Sequence, residues 1–482
     1  MEVTSVDYEK ELNEYIAQEK AAVELINSVR NLMYGNSVEL VFFRNHLLNA
    51  SIAEVLRIRD YGEKVIGKSV TIFICAELAA ELLKLDIAPS KIDIGKLAFE
   101  WIQEVENYSS QSEFLNVKLT GFFGKGNNIK PKDVVLYGFG RIGRLAAREL
   151  IKQAGKGEQL RLRAIVTRNN SDEQIIKRAA LLRNDSVHGA FEGTVVEDLA
   201  NKSIIVNGQN IKMIEAKQPE DIDYTTYGIE NALVIDNTGV FKDKEALSRH
   251  LVNGASKVIL TAPGSGVSNI VYGINEGELD IDNDTIYSAA SCTTNAISPI
   301  IKVVNDTFGI AKGHVETIHA YTNDQNLLDN FHKKPRRGRS AAINMVITST
   351  GAGKAVTKVM PEMADKLTAN AVRVPTPNGS LAVMNLELDK EVTTEELNNA
   401  IKKEALEGKL VNQIHFSVDE ELVSSDIVGN TCCSVFDSPA TIVSKNGKNV
   451  VLYTWYDNEF GYTKQVIRLA KYVAKVRRLI YY

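Results

Sequence analysis

Apolar and polar residues alternate with a helical period over the first part of the chain. Between residues 8 and 33, apolar side chains recur every three or four residues, as in an amphipathic helix; they include Leu12, Ile16, Val23, Ile26 and Val29. Ser51 and Glu54 have the spacing of a capping box and predict the start of a second helix. Further helical patterns cover residues 76–85 and 92–105. This part of the chain is therefore predicted to be all-α.

The period changes after residues 121–132, a stretch rich in Gly, Asn and Lys that is predicted to be a linker. A helix is predicted at 141–153, and short apolar runs predict buried strands at 133–137, 160–167, 233–236 and 257–260. Strands that alternate with helices indicate a mostly parallel α/β sheet. The predicted order is thus an all-α N-terminal extension, residues 1–130, followed by an α/β region.

Gly138, Gly140 and Gly143 form a G-x-G-x-x-G turn between the first predicted strand and the helix at 141–153. Gly138 permits the tight turn, and Gly143 permits close packing of helix on strand. Gly140 lets a pyrophosphate approach the helix N-terminus, where unpaired N–H groups and the helix dipole favour an anion. In this context the pattern predicts a dinucleotide site, with an ordinary strand–helix turn as the alternative.

The strand at 160–167 lacks the acid that usually follows the second strand of such a site and binds the ribose 2′-hydroxyl. The first acid after it is Asp172. Arg168 stands closer, and a guanidinium matches the oxygens of a 2′-phosphate, although this side chain could also point to water. NAD and NADP are therefore both candidate cofactors.

Composition narrows the possible partners. The chain has 482 residues, enough for two or three domains, and a formal net charge of -5, so no overall positive field attracts nucleic acid or anionic membrane. Its first residues lack the apolar run of a secretory signal, and no stretch is long enough to span a bilayer. The four cysteines form neither a disulfide framework nor a metal motif, which favours a reducing cytoplasm and no metal.

A cysteine and a histidine are the candidate reactive groups. Cys292 follows an apparent strand and opens a helical pattern that continues to residue 306. A thiol at a helix N-terminus is expected to have a lowered pKa, because unpaired N–H groups stabilise the thiolate. His319 could hold that thiolate as an ion pair and move protons. Taken singly, each residue would more often be structural, Cys292 as a small buried hydrophobe.

Seven motifs connect these features. They are GFGRIGR at 138–144, NTGVF at 237–241, SCTTN at 291–295, HAYTNDQ at 319–325, STGAGKAV at 349–356, AVRVPTPNGS at 371–380 and WYDNEFGY at 455–462. In this order they resemble the glyceraldehyde-3-phosphate dehydrogenase family over residues 131–482. Residues 1–130 have no counterpart in the ordinary core of that family.

The resemblance implies a domain plan and an assembly. A Rossmann NAD(P)-binding domain is expected at 131–291 and an α+β catalytic domain at 292–456, with the C-terminal helix of residues 457–482 packed back on the Rossmann domain. A homotetramer in the cytoplasm is expected as well. The basic run at 333–339 is explained as a loop that lines the cofactor site near a subunit interface, so no nucleic-acid partner is expected.

The activity implied is phosphorylating oxidation of an aldehyde, in which Cys292 forms a thiohemiacetal and then a thioester that inorganic phosphate cleaves. His319 would assist the thiolate and the substrate oxygen. The phosphorylated aldehyde and inorganic phosphate would be held by Ser291, Thr293, Thr322, Arg337, Thr350, Gly351 and Arg373. The nicotinamide cofactor would be held by Gly138, Gly140, Arg141, Ile142, Gly143, Arg168, Thr238, Gly239, Asn458 and Tyr462.

Departures from the family pattern keep alternatives open. The family's Asp-Leu-Pro reads Asp329-Asn330-Phe331 here, which removes a feature that crowds the 2′ position in strict NAD enzymes and favours NADP. Erythrose-4-phosphate dehydrogenase is an alternative with the same cysteine and cofactor. A non-catalytic regulatory protein on the same fold is a further alternative, and the N-terminal extension is predicted to be an interaction or regulatory module.

Overall fold

The computed structural model describes residues 7–124, 129–348 and 351–482 of the chain. The chain folds into two compact units. The first unit combines Met1–Lys130 with two short later segments, Ala154–Gln159 and Val476–Tyr482. The second unit contains Pro131–Gln153 and Leu160–Lys475. In the part of the chain that the structure describes, no helix is both long enough and apolar enough to cross a bilayer.

Helices make up most of the first unit and enclose one apolar core. The unit contains α1 Tyr8–Asn36, β1 Glu39–Phe42, β2 Asn45–His46, α2 Ile52–Tyr61, α3 Ile72–Leu82, β3 Ser90–Asp93, α4 Ile94–Glu104 and α5 Gln111–Lys118. The predicted capping box is present at the start of α2, where Ser51 and Glu54 exchange side-chain and backbone hydrogen bonds. Buried side chains of α1, among them Leu25 and Leu32, contribute to the core.

A small sheet corrects the prediction that residues 1–130 are all-α. Strand β1 lies parallel to β3 and antiparallel to β2, and the segment Leu479–Tyr481 adds a fourth strand parallel to β3. The helix predicted at 92–105 also starts two residues later than expected, since Ile92 and Asp93 belong to β3. Strands of two to four residues are too short to show a period, and a strand from the other end of the chain leaves no local signal.

The dinucleotide-binding half of the second unit is a nine-stranded sheet. Its elements are β4 Lys132–Tyr137, α6 Arg141–Lys152, β5 Leu160–Thr167, α7 Asp172–Arg183, the hairpin β6 Asn184–Asp185 and β7 Gly189–Ala190, β8 Val195–Asp198, β9 Ser203–Val206, β10 Gln209–Glu215, β11 Ala232–Asp236, α8 Lys244–Ser248, β12 Ala255–Leu260, β13 Ser268–Asn269 and β14 Ile286–Ser288. The sheet order is β13-β14-β12-β11-β4-β5-β10-β9-β8, parallel from β13 to β10. Chain order reverses about β4, and cofactors bind at such switch points.

The catalytic half contains a mixed sheet with a buried helix against it. Its elements are α9 Cys292–Phe308, β15 Ile310–Ala320, β16 Val346–Thr348, α10 Ala352–Val359, β17 Leu367–Val374, β18 Ser380–Leu388, α11 Thr394–Leu406, β19 Ile414–Ser417, β20 Ser434–Asp437, β21 Ile442–Val443, β22 Asn449–Tyr456 and α12 Phe460–Val473. The sheet order is β16-β17-β15-β18-β22-β20-β19, and β21 pairs with β22. The predicted fold class, a Rossmann sheet followed by an α+β part, is thus confirmed.

Helix α12 packs on α6, the helix that follows the glycine turn. Between them, Lys464 Nζ lies 2.5 Å from Glu149 Oε1, and both side chains are buried. The segment Val476–Tyr482, which the sequence grouped with this helix, lies in the first unit instead. Helix α12 therefore attaches the end of the catalytic half to the dinucleotide-binding half.

Replacing Glu149 with alanine is expected to lower the free energy of unfolding by about 3–5 kcal/mol, because the Lys464 ammonium would lose its buried carboxylate. Denaturant unfolding followed by tryptophan fluorescence measures this change. The matched control is Asp306→Ala, since Asp306 pairs with Lys302 on an exposed helix face where such pairs contribute ~1 kcal/mol or less. Equal losses in the two variants would contradict the prediction.

Candidate active site

Cys292 is the first residue of α9, and the chain just before it is held in an uncommon conformation. Ala290 has a φ of +54°, in the left-handed region. The Tyr462 hydroxyl donates to the Ala290 carbonyl at 2.9 Å. Ser291 caps the helix, its hydroxyl accepting from the Thr294 backbone N–H at 3.0 Å. These contacts fix where the thiol stands.

His319 lies near the end of β15 with its imidazole against that thiol. The distance from Cys292 Sγ to His319 Nε2 is 3.6 Å. On the other side of the ring, Nδ1 lies 2.7 Å from the carbonyl oxygen of Ala320. Arg373 Nη1, which can only donate, lies 3.0 Å from the same nitrogen. Because the shorter contact is to a carbonyl, which can only accept, we assign the proton of the neutral ring to Nδ1. Nε2 is then an acceptor that faces the thiol.

Burial keeps both groups neutral in this arrangement. It lowers the pKa of His319 to about 3, and the nearby Arg373 guanidinium lowers it further. Burial also raises the pKa of the Cys292 thiol, while Arg373 acts in the opposite direction. The expectation that the helix N-terminus lowers the pKa of Cys292 is therefore corrected, because loss of solvation outweighs it. The pair is a thiol and an imidazole.

Two arginines place positive charge beside the imidazole. Strand pairing sets Arg373 opposite His319, and Arg373 Nη1 donates to the Ala320 carbonyl at 2.9 Å. Arg337 is buried, pairs with the carboxylate of Asp324 and donates from Nε to Thr348 at 3.2 Å. Proximity to Arg337, after burial, lowers the pKa of Arg373. Two guanidiniums this close suit a multiply charged anion such as phosphate.

The other residues predicted to hold anions differ in their surroundings. Thr293 is buried, and its hydroxyl lies 3.1 Å from the Tyr456 hydroxyl. Thr322 is half-buried just beyond the end of β15, and Gly351 is exposed immediately before α10. Thr350 lies outside the described residues. The structure therefore groups Thr293 with Cys292 and Arg337 with Arg373, while Gly351 stands at a helix N-terminus.

The glycine turn has the local geometry that the sequence predicts. Gly138 has a φ of +93°, and a Cβ there would lie 2.9 Å from Thr238 Cγ2. A Cβ on Gly143 would lie 2.4 Å from the carbonyl oxygen of Gly138. At Gly140, no heavy atom of the described residues beyond its chain neighbours lies within 4 Å of such a Cβ. The backbone at Gly140 is therefore open to a ligand at the start of α6, where Ile142 is half-buried.

Arg141 uses its side chain to join three segments. The guanidinium donates to Glu459 from Nη2 at 2.6 Å and to Asp185 at 3.1 Å. Glu459 also lies 3.0 Å from Nε2 of His188. A cofactor would therefore meet the backbone N–H of Arg141 rather than its guanidinium. Glu459 was not predicted as a site residue, although the motif at 455–462 contains it.

Asn458 is connected to the strand that carries His319. Its side-chain oxygen accepts from the Ser380 hydroxyl at 2.8 Å, and Ser380 in turn accepts from the Ala320 backbone N–H at 3.1 Å. This use of the oxygen fixes the orientation of the amide and leaves its NH₂ group as the donor. Tyr462 is buried, and its hydroxyl bonds the carbonyl of Ala290, two residues before Cys292.

The loop after β11 completes the switch point. The backbone N–H and the hydroxyl of Thr238 both donate to Asp236 Oδ1 at 2.7 Å. Gly239 follows with a φ of +64° and is half-buried. Asp236 is fully buried and also lies 3.2 Å from His250 Nε2. Sequence reasoning missed Asp236 because its role depends on a fold contact with His250.

Arg168 is exposed immediately after β5. Within the described ranges, no cluster of three or more His, Cys, Asp or Glu side chains is placed to hold a metal ion.

Sequence reasoning also missed Tyr456, whose ring packs edge-on against His319 with 5.9 Å between centroids. Its motif was recognised, but only the folded sheet brings this tyrosine to the histidine.

A Rossmann sheet is followed here by a second sheet whose strand β15 brings His319 to Cys292 at the start of α9, and this combination is that of an NAD-dependent dehydrogenase. Two sequence models match the chain: the NAD-binding domain of glyceraldehyde 3-phosphate dehydrogenase at residues 132–244 and its C-terminal domain at residues 291–458. The chain belongs to the glyceraldehyde-3-phosphate dehydrogenase family.

Some relatives match nearly the whole chain, and others match only the part after the N-terminal extension. A glyceraldehyde-3-phosphate dehydrogenase-like protein of Pseudomonas aeruginosa (strain UCBPP-PA14) is 46% identical over 458 residues, which cover 94% of this chain and 98% of the relative. The glyceraldehyde-3-phosphate dehydrogenase of Priestia megaterium is 44% identical and covers 70% of this chain and 96% of the relative. Glyceraldehyde-3-phosphate dehydrogenase 1 of Bacillus subtilis is 45% identical over 60% of this chain and 85% of the relative. The Pseudomonas match therefore takes in most of the N-terminal extension.

Proposed function

We propose that the chain oxidises glyceraldehyde 3-phosphate to 1,3-bisphosphoglycerate, with NAD or NADP as the hydride acceptor and inorganic phosphate as the second substrate. The observation that carries the proposal is the 3.6 Å approach of Cys292 Sγ to His319 Nε2, with Arg373 beside the same imidazole. A thiol next to an acceptor nitrogen is a nucleophile that can be activated, and arginine binds phosphate oxygens.

The reaction begins when Cys292 Sγ attacks the aldehyde carbon and the thiol proton passes to His319 Nε2. A C–S bond forms, and the developing charge on the substrate oxygen is stabilised by the imidazolium and by the Cys292 backbone N–H. The nicotinamide, when bound, supplies the acceptor for the hydride that leaves the former aldehyde carbon. A thioester then remains on Cys292.

Inorganic phosphate attacks the thioester carbon and gives up its proton to solvent, the C–S bond breaks, and the acyl phosphate leaves. His319 returns its proton to Cys292 Sγ, which restores the starting thiol. Because the oxidised carbon stays bound to sulfur until phosphate arrives, the energy of the oxidation is conserved in the acyl phosphate.

Two anion subsites are needed, one for each phosphate. We assign Arg373, Arg337 and Thr322 to the substrate phosphate, since the two guanidiniums lie beside the catalytic imidazole. Arg373 Nε supports this assignment, because it is buried with no hydrogen-bond partner among the described residues. The attacking phosphate is assigned to the hydroxyls and N–H groups of Ser291, Thr293, Thr350 and Gly351.

The cofactor assignment rests on the open backbone at Gly140 and on the loop of Thr238 and Gly239 across the switch point. Asn458 would direct its NH₂ group at the carboxamide of the nicotinamide, because its oxygen is already engaged by Ser380. Tyr462 would act by holding the turn before Cys292. The guanidinium of Arg168 would bind a 2′-phosphate if the cofactor carries one.

The test is steady-state kinetics with glyceraldehyde 3-phosphate and with erythrose 4-phosphate, each with and without inorganic phosphate and with NAD or NADP. The proposal requires phosphate-dependent turnover that is faster with glyceraldehyde 3-phosphate. Faster turnover of erythrose 4-phosphate would favour erythrose-4-phosphate dehydrogenase. No turnover of either aldehyde would favour a non-catalytic protein on the same fold.

Assembly and location stay predictions. A homotetramer fits the segment between β15 and β16, where Leu327, Leu328 and Phe331 expose large apolar side chains. A cytoplasmic location and an interaction or regulatory role for the N-terminal extension are also inferred. Sedimentation of the intact chain would test the tetramer, with a monomer at micromolar concentration as the contrary result.

Alkylation of Cys292 by iodoacetamide in the ligand-free protein is expected to accelerate continuously between about pH 6 and about pH 9, without a plateau near neutrality. Burial raises the pKa of this thiol, so the reactive thiolate increases only as the pH approaches and passes the ordinary thiol range. The pKa of His319 is about 3, so its imidazole stays neutral and adds no inflection near its usual value of about 6.5.

Mass spectrometry of the peptide that contains Cys292 would give the alkylation rate at each pH. A rate that is already constant from about pH 6 upward would indicate a preformed thiolate–imidazolium pair and would contradict this prediction.

A further inference from the structure

The acid that the turn after β5 lacks is present on the neighbouring strand. Strands β5 and β10 are parallel partners, and their last residues, Thr167 and Glu215, stand opposite each other. The carboxyl ends of both strands therefore meet at the edge where the cofactor's adenosine half binds in this fold. Glu215 therefore places an acid at the edge where the sequence after β5 has none.

Glu215 also reaches the turn through a hydrogen bond. The Asn170 backbone N–H donates to Glu215 Oε2 at 3.3 Å, and the Asn170 side chain donates to the Met213 carbonyl at 3.0 Å. The turn is braced further by Thr167, whose hydroxyl donates to the Asn169 carbonyl at 3.0 Å. The turn and the end of β10 thus form one connected surface.

The rest of the Glu215 carboxylate is available to a ligand. The side chain is exposed, and Oε1 makes no hydrogen bond with the residues that the structure describes. A carboxylate with one oxygen fixed and the other open can accept from a ribose hydroxyl. The same charge repels a 2′-phosphate.

We propose that Glu215 binds the ribose 2′-hydroxyl of the cofactor and makes the site prefer NAD over NADP. The proposal rests on the proposed function only in taking a nicotinamide dinucleotide as the ligand. Glu215 replaces, from the end of β10, the acid that other sites carry at the end of the strand equivalent to β5. The sequence around Arg168 suggested NADP because it contains no acid. The fold favours NAD because β10, the neighbour of β5, brings Glu215 to the same edge.

Other charges near this edge are balanced or carry the opposite sign. Asp172 pairs with Lys202 at 2.6 Å, and Glu220 pairs with Arg249 at 2.7 Å. Arg168 is exposed on the turn itself. Lys217, two residues after Glu215, is a second exposed cation. Removing the charge of Glu215 should therefore shift the cofactor preference toward NADP, and removing the charge of Arg168 should shift it toward NAD.

The test measures binding rather than turnover, with fragments that carry only the adenosine half. ADP and adenosine 2′,5′-bisphosphate are titrated calorimetrically into the full-length wild-type chain and into Glu215→Gln. We expect the wild type to bind ADP more tightly. In Glu215→Gln, we expect the ratio of the two affinities to shift at least ~10-fold toward the 2′-phosphate, as loss of one repulsive charge at such a site implies.

Two further variants sharpen the result. Glu220→Gln is the matched control, because Glu220 is also an exposed acid beyond β10 but bonds Arg249. Its affinity ratio should equal that of the wild type. Arg168→Gln should weaken binding of adenosine 2′,5′-bisphosphate without weakening ADP.

An unchanged ratio in Glu215→Gln, an equal shift in the Glu220 control, or no binding of either fragment to the wild type would overturn the inference. These outcomes are separate from a failure of the proposed function. A chain that shows the expected ratios but oxidises no aldehyde would keep the assignment of Glu215 and refute the reaction.

Discussion

Replacing Cys292 with serine is expected to lower kcat for phosphate-dependent oxidation of glyceraldehyde 3-phosphate on the order of 10⁴-fold. A serine hydroxyl is a much weaker nucleophile than a thiol, and it gives up its proton to an imidazole far less readily than a thiol does. The alkoxide form would not accumulate near neutral pH. Initial rates of NADH formation measure the loss.

The matched control for this substitution is Cys432→Ser, because Cys432 is half-buried in the loop before β20 and lies outside the proposed machinery. The control should keep kcat within about twofold of the wild type, as expected for a conservative change away from the reacting atoms. Retention of a tenth or more of the wild-type rate in Cys292→Ser would remove the cysteine from the mechanism.

Replacing His319 with asparagine is expected to lower kcat by ~10² to ~10⁴-fold, the usual range for loss of a general acid or base. The variant loses the acceptor 3.6 Å from the thiol and the imidazolium that stabilises the substrate oxygen. KM for the aldehyde should change less than kcat, because Arg373 and Arg337 still hold the phosphate. Steady-state kinetics at several pH values would separate the two effects.

His314→Asn is the control for His319, since both histidines lie on β15. His314 is exposed and bonds the Thr368 hydroxyl at 2.8 Å, away from the thiol. Its replacement should leave kcat unchanged. Equal losses in the two histidine variants would show that damage to β15, rather than loss of the imidazole, explains the effect.

Local patterns in the sequence predicted the parts of the site that depend on short stretches of chain. Gly138, Gly140 and Gly143 define a turn whose conformation follows from the absence of side chains, and the structure has that geometry. Cys292 was predicted at a helix start and stands there. Each prediction needed only a strand, a turn and a helix adjacent in sequence.

Features that depend on contacts between distant segments were not predictable in this way. The protonation of Cys292 and His319 follows from burial, which no local pattern reports, and the expected direction for the thiol was wrong. Tyr456 reaches His319 only through the order of strands in the sheet. The position of Glu215 beside the turn after β5 likewise requires that β5 and β10 be neighbours.

The first unit also depends on contacts between distant segments, and this determines which deletion can test its role. Its sheet takes a strand from Leu479–Tyr481, and Gln159 donates to the Val476 carbonyl at 2.6 Å. Deleting residues 1–125 alone would therefore strip that strand of its partners. A deletion that also removes residues 476–482 gives a cleaner comparison, and unchanged assembly and kinetics in it would argue against a regulatory or interaction role.

The most direct test of the central claim, a covalent intermediate on Cys292 that phosphate cleaves, is a rapid-mixing experiment without phosphate. The wild-type chain is mixed with glyceraldehyde 3-phosphate and NAD, NADH is followed by absorbance, and phosphate is added afterwards. The account predicts a burst of about one NADH per active site, an acyl adduct on the Cys292 peptide by mass spectrometry, and turnover only after phosphate is added. Steady NADH formation without phosphate, or a burst with no adduct on Cys292, would contradict it.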